Sequence, residues 1–465
     1  MPHPSDLHVV ILAAGKGTRM KSALPKVLHL AGGLPLIDYV LRAAASISPT
    51  SVIVIVGHEA DRLQAALAER PGLAFAVQSP QLGTGHALLQ AEPLLQGATG
   101  AVILLSGDVP LLTAASLQAL AETHRARHAA ATVVTAMVPA PDGYGRIVRD
   151  AGGAIAAIVE HKDASPEERA IREINSGVYA FDLAPLFGAL REIGSSNAQG
   201  EYYLPDLVRI YRDRGLRVET VALDDAREIL GVNSRKELAD VSHILRAARL
   251  DALMASGVTI VDPATTYIEA DVTVGADTVI HPGVHLEGRT SIGARCEIQS
   301  GVRIVNTSID DDVRINNFCL LIDSHVSRGA IVGPFAHLRP QSHVGEEAHV
   351  GNFVELKKTT LGRGSKANHL SYLGDSTIGE KVNIGAGTIT CNYDGTLKHP
   401  TIIEDGAFIG SDSQLVAPVR IGRGAYIAAG SSITRDVPAD ALALSRGRQI
   451  NKDEWAAHHR KKPRG

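Results

Sequence analysis

Residues 268–304 read IEADVTVGADTVIHPGVHLEGRTSIGARCEIQSGVRI, and this stretch decides the fold of the second half of the chain. An aliphatic residue stands at every sixth position from Ile268 to Ile304, and glycine often follows it, as after Val274 and Ile292. A period of six fits neither a helix, which repeats about every 3.6 residues, nor an ordinary strand, which repeats about every two. It is typical of a parallel β-helix of hexapeptide repeats, in which one aliphatic side chain per side points inward.

The six-residue period continues through most of this half of the chain. It slips in phase, resumes over residues 332–356 and resumes again over residues 403–433. We expect loops that project from the coil where the phase breaks, at residues 305–308 and 391–402. The predicted β-helix domain spans residues 257–455, and residues 456–465 end in a basic run that we expect to form a solvated tail.

The first half, residues 1–233, has a different pattern. Short runs rich in Val, Ile and Leu alternate with Ala- and Leu-rich segments of helical period. The predicted strands are residues 8–12, 51–56, 74–78, 101–105 and 131–138, and the predicted helices are residues 36–45, 60–70, 84–95 and 114–128. This alternation indicates βαβ units, hence an α/β domain with a Rossmann-like, mostly parallel sheet. We expect antiparallel additions from residues 143–182 at one edge.

A single helix is expected to join the two domains. Residues 234–256 form the predicted linker, with helical spacing over residues 234–254 and no Gly or Pro inside that stretch. Ser234 followed by Glu237 is a capping box, which marks the start of a helix.

Composition excludes several classes of protein. The 465 residues suggest two or three domains, and 45% hydrophobic with 21% charged residues argues against global disorder. Lys and Arg total 46 against 50 Asp and Glu, so a generic nucleic-acid binder is disfavoured. The three cysteines have no metal-ligand spacing, no apolar run is long enough to span a bilayer, and residues 1–6 lack the positive segment of a secretory signal. We expect a cytoplasmic protein without a membrane partner.

A glycine-rich turn follows the first predicted strand. Residues 12–20 read LAAGKGTRM, and residues 25–26 are Pro-Lys. Such a turn lets backbone N–H groups approach phosphate oxygens, and Lys16, Arg19 and Lys26 add positive charge. The stretch is not a Walker A loop, since the pattern Gly-x4-Gly-Lys-Ser/Thr is absent. It is not a dinucleotide fingerprint either, because Met20 stands where the third glycine would be needed. Spacing alone also allows an ordinary glycine-rich turn.

The first half resembles the sugar-1-phosphate nucleotidylyltransferases. The matching segments are residues 12–20, 25–26, 78, 83–84, 107–111, 143–147, 159–162, 175–177 and 231–233. The resemblance implies that Asp108 and Asn233 hold Mg²⁺, and that Arg19 and Lys26 neutralise charge during transfer. It further implies a nucleotide- and sugar-binding set comprising Leu12, Ala13, Ala14, Gly15, Lys26, Gln78, Gly83, Thr84, Gly145, Glu160, Asn175 and Asn233. In that set Gln78 and Gly83 read uracil, and Gly145, Glu160 and Asn175 read the sugar. Ser106 departs from the Tyr that relatives often carry, which affects base-edge contacts.

Two cations in the repeat domain suggest an anion site. Arg339 and Lys357 lie 18 residues apart, and each follows an inward aliphatic residue. Three hexads make one coil, so the two cations would stack about 4.7–4.9 Å apart and repel unless an anion such as phosphate bridges them. Two unrelated surface cations are the alternative. His369, nearby in the sequence, has the side chain best suited to take a proton near neutral pH.

The second half resembles the C-terminal part of the bacterial bifunctional enzymes that combine glucosamine-1-phosphate N-acetyltransferase and N-acetylglucosamine-1-phosphate uridylyltransferase activities. With the matches of the first half included, the resemblance to these enzymes covers the chain from Val9 to about Trp455. It implies that Arg339 and Lys357 hold the sugar phosphate, that Tyr372 and Asn383 orient the sugar, and that His369 is the general base. The implied acetyl-CoA contacts are Ala386, Asn392, Tyr393, Ser411, Ala429 and Arg446.

The same resemblance implies a left-handed β-helix, a homotrimer with the acetyl site between subunits, and UTP and acetyl-CoA as co-substrates. It also places the product among cell-wall and lipopolysaccharide precursors. Two other functions are compatible with parts of the sequence. A monofunctional nucleotidylyltransferase with a purely structural β-helix would not need the set Arg339, Lys357, His369 and Asn383. A non-catalytic nucleotide-sugar sensor would not need Asp108, Asn233 and Lys26.

Overall fold

The computed structural model describes residues 6–460, which fall into two compact units that divide at Leu245 and Arg246. Residues 1–5, which belong to the segment expected to lack a secretory signal, and residues 461–465 of the expected tail lie outside the described residues. The tail begins instead with a short exposed helix, Trp455–His459.

The first unit is built on a nine-stranded sheet. Its strands are β1 (Leu7–Leu12), β4 (Ser51–Val56), β5 (Leu73–Val77), β6 (Ala101–Ser106), β7 (Ala131–Met137), β8 (Arg146–Arg149), β9 (Ile155–Val159), β10 (Glu173–Asp182) and β11 (Val218–Leu223), and a separate hairpin pairs β2 (Leu30–Ala31) with β3 (Leu34–Pro35). The order is β11-β7-β10-β6-β1-β4-β5, with β8 and β9 branching from β10. Strands β6, β1, β4 and β5 run parallel, which confirms the mixed, mostly parallel sheet.

Helices cover this sheet. They are α1 (Leu36–Ala45), α2 (Ala60–Leu67), α3 (Thr84–Leu89), α4 (Ala114–Ala126), α5 (Pro166–Arg169), α6 (Leu183–Leu190) and α7 (Asp206–Asp213), with 3-10 turns at Thr18–Met20, Lys26–Leu28, Glu92–Leu95 and Ala226–Ile229. The predicted helix over residues 84–95 ends early because Pro93 cannot donate a backbone hydrogen bond, and a 3-10 turn replaces its last part.

The antiparallel additions lie elsewhere than expected. Strand β10 runs antiparallel between β6 and β7, inside the sheet rather than at an edge, and β8 and β9 extend from it as a hairpin. The reason is burial: Val178, Ala180 and Phe181 of β10 are fully buried, so this strand requires neighbours on both sides.

The linker helix α8 (Arg235–Ala255) begins as the capping box predicts. The Ser234 hydroxyl accepts a hydrogen bond from the Glu237 backbone N–H at 3.3 Å, while the Glu237 carboxylate accepts one from the Asn233 backbone N–H at 2.7 Å. Val241 belongs to a core cluster of the first unit, and Leu250 belongs to the core of the second. The division between the units therefore falls within this helix.

The second unit is a parallel β-helix with three faces. Face 1 consists of Thr259–Ile260, Val279–Ile280, Glu297–Ile298, Arg314–Ile315, Ile331–Val332, His349–Asn352, Lys366–His369, Asn383–Ile384, Phe408–Ile409, Tyr426–Ile427 and Leu442–Ala443. Face 2 consists of Tyr267–Ile268, His285–Glu287, Arg303–Val305, Leu320–Ile322, His337–Leu338, Glu355–Lys357, Tyr372–Gly374, Ile389–Cys391, Gln414–Val416 and Ser432–Ile433. Face 3 consists of Thr273–Val274, Ser291–Ile292, Ser308–Ile309, His325–Val326, His343–Val344, Thr360–Leu361, Ser376–Ile378, Thr401–Ile403 and Val419–Ile421.

The inward aliphatic residues stack on successive coils. Leu338 pairs with Leu356, and Leu356 pairs with Leu373; all three are fully buried. The step between partners is thus 18 residues in one case and 17 in the next. This stacked core confirms the hexapeptide-repeat β-helix.

One of the two loop predictions is wrong. No loop projects at residues 305–308, because Asn306 adopts a left-handed φ of 47° and the buried Thr307 hydroxyl donates to the Val305 carbonyl at 2.9 Å. The corner simply contains one residue fewer. The second loop does project: Ile384 pairs with Ile409, 25 residues further on, and Tyr393 and Leu397 between them are exposed.

Leu356→Ala is expected to lower the free energy of unfolding of the second unit by about 2–5 kcal/mol, since it opens a cavity in a fully buried stack. Chemical denaturation followed by circular dichroism measures the loss. The matched control is Leu397→Ala on the projecting loop, where the side chain is 62% exposed and the change should stay within about 0.5 kcal/mol. Equal losses for the two variants would show that the stack is not the source of stability.

Candidate active sites

A cleft of about 450 Å³ opens at the carboxyl ends of β1 and β6, where open α/β sheets bind ligands. Among the residues that line it are nine predicted site residues: Leu12, Ala13, Ala14, Gly15, Lys26, Gln78, Gly83, Thr84 and Asp108. Arg19 is exposed on the neighbouring 3-10 turn and is not part of this lining.

The glycine-rich turn is shaped to bring Lys26 into the cleft. Gly17 has a left-handed φ of 58°, and a Cβ at this position would lie 3.0 Å from the Cβ of Lys26. A larger residue would therefore be strained in its backbone and would crowd the lysine. At Gly15 a Cβ would meet no atom within 4 Å, so the turn leaves open space on its cleft side.

Lys26, Asp108 and Asn233 meet although they are distant in the sequence. The Lys26 ammonium donates to the Asp108 carboxylate and, at 3.1 Å, to the Asn233 side-chain oxygen. The backbone N–H of Val232 donates to the Asp108 carbonyl at 2.9 Å and holds the two segments together. One carboxylate and one amide oxygen thus converge on a single cation, a donor set that fits Mg²⁺ with water and phosphate oxygens completing its shell. Within residues 6–460 no three His, Cys, Asp or Glu side chains are grouped so as to hold a metal.

Gln78 is buried and holds one side of the cleft in place. Its side-chain amide donates to the Gly83 carbonyl at 2.9 Å and lies 3.2 Å from Nδ1 of His86. These contacts fix the loop that precedes α3. The side-chain oxygen of Gln78 has no part in them, so it can accept a hydrogen bond from a ligand.

The three predicted sugar-reading residues form a second group in the first unit. The Asn175 backbone N–H donates to the Gly145 carbonyl at 2.9 Å. A Cβ on Gly145 would lie 3.4 Å from the Glu160 carboxylate and 3.4 Å from the Asn175 Cβ, so glycine leaves room between them. Burial, and then the nearby Asp163 carboxylate, raise the pKa of Glu160 above its ordinary value.

Arg339 and Lys357 lie on successive coils of face 2, as the spacing predicts. The Arg339 backbone N–H donates to the Leu356 carbonyl at 2.9 Å, which sets the two side chains one coil apart. Nearby carboxylates offset the repulsion between the two cations, however. Arg339 pairs with Glu355 at 2.9 Å, and Lys357 lies 3.8 Å from Asp375. In the structure the compensating anions are carboxylates of neighbouring coils, and a phosphate bound between the two cations stays a prediction.

The structure adds Lys398, which sequence reasoning missed. This lysine lies on the projecting loop, where the six-residue repeat is interrupted and periodicity gives no information. The Lys398 side chain contacts the Lys357 ammonium, and this contact with a second cationic group lowers the pKa of Lys398. A third cation thus belongs to the Arg339 and Lys357 group.

His369 is exposed on face 1, and its ring is oriented by a residue one coil earlier. Asn352 pairs with His369 in register, and its side-chain oxygen lies 2.8 Å from Nδ1 of the imidazole. Because the amide oxygen can only accept, Nδ1 carries the hydrogen and Nε2 is left free to take a proton. Asn352 was not predicted, since nothing in the sequence marks it apart from its 17-residue distance from His369.

Four of the predicted acetyl-CoA residues, Ala386, Ser411, Ala429 and Arg446, follow successive strands of face 1. The Asp412 N–H donates to the Ala386 carbonyl at 2.7 Å, the Gly430 N–H donates to the Ser411 carbonyl at 2.8 Å, and Arg446 donates to the Ala429 carbonyl at 2.8 Å. Asn392 and Tyr393 begin the projecting loop.

The sugar-orienting residues of the prediction occupy two different faces. Tyr372 lies on face 2, where a Cβ on Gly374 would meet the Tyr372 hydroxyl at 2.5 Å and the Asn392 amide at 2.7 Å. Glycine is therefore required for these two side chains to approach each other. Asn383 lies on face 1, one coil after Lys366.

This fold and these two groups of residues define a nucleotidyltransferase domain joined to a hexapeptide-repeat transferase. The family described as MobA-like NTP transferase domain matches residues 9–173, and the bacterial transferase hexapeptide family matches residues 271–306 and 400–435. A bifunctional protein GlmU from Brevibacillus brevis is 50% identical over 97% of each chain, and one from Trichlorobacter lovleyi is 51% identical over 97% of this chain and 98% of its own. A third, from Pelobacter propionicus, is 49% identical over 98% and 99%.

The chain belongs to the GlmU family of bifunctional proteins. It is a bifunctional enzyme of UDP-N-acetylglucosamine biosynthesis, which acetylates glucosamine-1-phosphate with acetyl-CoA and transfers UMP from UTP to N-acetylglucosamine-1-phosphate. Among the described residues no helix has the length and apolar character needed to cross a membrane.

Lys398→Met is expected to raise the KM for glucosamine-1-phosphate in acetyl transfer about tenfold, because it removes a cation beside Lys357 while keeping the length of the side chain. Steady-state kinetics at saturating acetyl-CoA measures the change. Lys381→Met, at an exposed lysine elsewhere on the coil, is the matched control and should leave this KM unchanged. A KM unaffected by Lys398→Met would exclude Lys398 from the phosphate pocket.

Proposed function

We propose that the two activities reside at the two sites described above, one in each unit. UMP transfer belongs to the cleft around Lys26 and Asp108 in domain 1–233. Acetyl transfer belongs to the surface around His369 in domain 257–455, with residues 234–256 as the connecting helix. The observation that carries the proposal is the meeting of Lys26, Asp108 and Asn233 at the carboxyl edge of the sheet, while the oriented imidazole of His369 lies in the other unit.

UMP transfer at the first site requires no protein nucleophile. The phosphate of N-acetylglucosamine-1-phosphate attacks the α-phosphorus of UTP in line, and pyrophosphate leaves. When Mg²⁺ is bound by Asp108 and Asn233, it supplies positive charge to the phosphate oxygens. Lys26 and Arg19 neutralise charge that develops on the phosphoryl group and on pyrophosphate, and the glycine-rich turn donates backbone N–H groups to the triphosphate. Catalysis there is positioning and charge neutralisation.

Reading of the substrates falls to the residues around this cleft. Gln78 and Gly83 read uracil, with Thr84 and residues 12–15 beside the nucleotide. Gly145, Glu160 and Asn175 read the sugar, and the space that Gly145 leaves open suits a sugar hydroxyl approaching the Glu160 carboxyl.

Acetyl transfer at the second site begins with removal of a proton. Nε2 of His369 takes a proton from the 2-amino group of glucosamine-1-phosphate as that nitrogen attacks the acetyl thioester. The backbone N–H of Ala386 stabilises the tetrahedral oxyanion, and CoA thiolate leaves as the thioester bond breaks. Arg339, Lys357 and Lys398 hold the sugar phosphate, while Tyr372 and Asn383 orient the ring. Asn392, Tyr393, Ser411, Ala429 and Arg446 contact CoA.

His369→Ala is expected to lower kcat for acetyl transfer by a factor of about 10²–10⁴, the usual contribution of a general base, while UMP transfer to supplied N-acetylglucosamine-1-phosphate stays near normal. Asp108→Asn should produce the reverse result, with loss of Mg²⁺-dependent pyrophosphate release and normal acetyl transfer. Separate assays of CoA thiol release and of pyrophosphate release measure the two activities.

Each variant is the control for the other. If either substitution abolished both activities, the assignment of one activity to each site would be wrong. If neither changed its own activity, the two residues would have to be removed from the chemistry.

We also propose that the protein is a homotrimer and acts in the cytoplasm, without a membrane or nucleic-acid partner. Support for the trimer comes from a column of exposed side chains at one corner of the β-helix: Phe318, Phe335, Phe353 and Leu370. The rings of neighbouring phenylalanines lie 5.3 Å apart, and all four residues adopt a left-handed φ between 50° and 59°. Bulky residues are strained in that conformation. Burial of their apolar side chains offsets the strain only if another surface covers the column.

Light scattering is expected to give a mass near three times 49.0 kDa for the intact chain. Phe335→Asn should weaken assembly and lower acetyl transfer but spare UMP transfer, because asparagine accepts the left-handed conformation and only the ring is lost. Glu347→Asn, at an exposed corner with a φ of 53° outside this column, is the control. A monomeric mass for the unmodified protein would refute both the trimer and a composite acetyl site.

A further inference from the structure

Arg146 is fully buried and is the largest fully buried side chain among residues 6–460. A buried guanidinium normally pairs with a carboxylate, because desolvation of its charge is costly. Here its hydrogen bonds go to the Tyr144 carbonyl, to the Arg169 carbonyl at 3.4 Å and 3.5 Å, and to Nδ1 of His161 at 3.3 Å. The guanidinium therefore fixes two backbone carbonyls and one imidazole ring relative to one another.

The strand register places Arg146 at the centre of the sugar-reading group. In β8 it pairs with Val159 of β9 and with Ile174 of β10. Both pairings are antiparallel, so Gly145, just before Arg146, lies opposite the residues that follow Val159 and Ile174. Those residues are Glu160 and Asn175. Successive residues of a strand face opposite sides of a sheet, so the Arg146 guanidinium lies on the side opposite to Glu160 and Asn175, beneath the sugar-reading surface rather than on it.

The partners of the guanidinium flank the same residues. Tyr144 immediately precedes Gly145, and His161 immediately follows Glu160. Because a guanidinium can only donate, the His161 ring accepts at Nδ1 and carries its own hydrogen at Nε2. The third partner, the Arg169 carbonyl, is in the last turn of α5, where a nearby cation is favoured.

We propose that Arg146 is a positioning residue of the sugar site. It fixes the Tyr144 backbone, just before Gly145, and the His161 side chain, just after Glu160, and so sets the separation of Gly145 and Glu160. It does not touch the substrate. The inference rests on the proposed function, since it takes Gly145, Glu160 and Asn175 as the sugar readers. It assigns a role to the segments 143–147 and 159–162 beyond the two contact residues within them.

Arg146→Lys is the central test, because lysine keeps the charge but cannot donate to three partners in a fork. We expect the KM for N-acetylglucosamine-1-phosphate in UMP transfer to rise about tenfold, since a small misplacement of contact groups is costly. The KM for UTP should stay within about twofold, because the guanidinium has no hydrogen bond to the residues that line the nucleotide cleft. His161→Gln, which changes one acceptor at a half-buried position, should raise the same KM to a smaller extent.

Arg149→Lys is the matched control. Arg149 ends the same strand, but its guanidinium pairs with Glu173 at 2.5 Å and 2.7 Å and with the Gly153 carbonyl at 2.9 Å on the partly exposed side. Its substitution should leave both KM values unchanged. Acetyl transfer by the other unit provides an internal measure of intact protein for every variant, and a thermal melt records any general loss of stability.

Glu160→Gln separates failure of the inference from failure of the proposed function. If Glu160→Gln leaves the sugar KM unchanged, the sugar-reading assignment itself is wrong. If Glu160→Gln raises that KM while Arg146→Lys and His161→Gln do not, only the positioning role of Arg146 falls. A purely structural role would instead lower the melting temperature and impair use of both substrates to the same extent in Arg146→Lys, and this outcome would also overturn the proposal.

Discussion

In the second unit the inward residue of every strand except Ile389–Cys391, where it is Thr390, is aliphatic, and the stacking of these side chains holds the coil together. Once Leu338, Leu356 and Leu373 are fixed on top of one another, the residues next to them are fixed as well. Outward positions on successive coils become columns about 4.7–4.9 Å apart, whatever their chemistry. Arg339 and Lys357 are neighbours for this reason, and similar stacking on another face brings Asn352 to His369. The core is uniform, and the candidate site residues lie on the outer surface of the coil.

In the first unit the equivalent constraint is the common edge at which parallel strands end. It brings Lys26, Asp108 and Asn233 together, and the pairing there resembles the pairing on the coil. Lys26 bonds with Asp108, and Lys357 lies beside Asp375. A cation placed to receive phosphate is costly to hold when no phosphate is bound, and a carboxylate close by offsets that cost.

The sequence predicts well what is periodic or local. The five strands that were predicted with bounds in the first unit lie within one or two residues of those bounds, and the glycine-rich turn lines the cleft together with Lys26 and Gln78. What is missed depends on distant contacts. The place of β10 inside the sheet follows from burial on both sides, which a run of apolar residues does not reveal. Lys398 lies where the repeat is interrupted. The missing loop at residues 305–308 shows that a slip of phase does not distinguish an insertion from a shortened corner.

A solid coil has consequences for chemistry. Its interior is filled by buried side chains, two on many of its sides, such as Val354 and Leu356, and His369 lies outside this core and is exposed. Acyl transfer nevertheless needs an environment from which water is excluded, because preorganised donors stabilise charge far better there. We propose that the projecting loop, which carries Tyr393 and Lys398, supplies part of that cover. We propose that a second copy of the chain supplies the rest of that cover, by packing against Leu370, which lies next to His369 at the end of the exposed phenylalanine column.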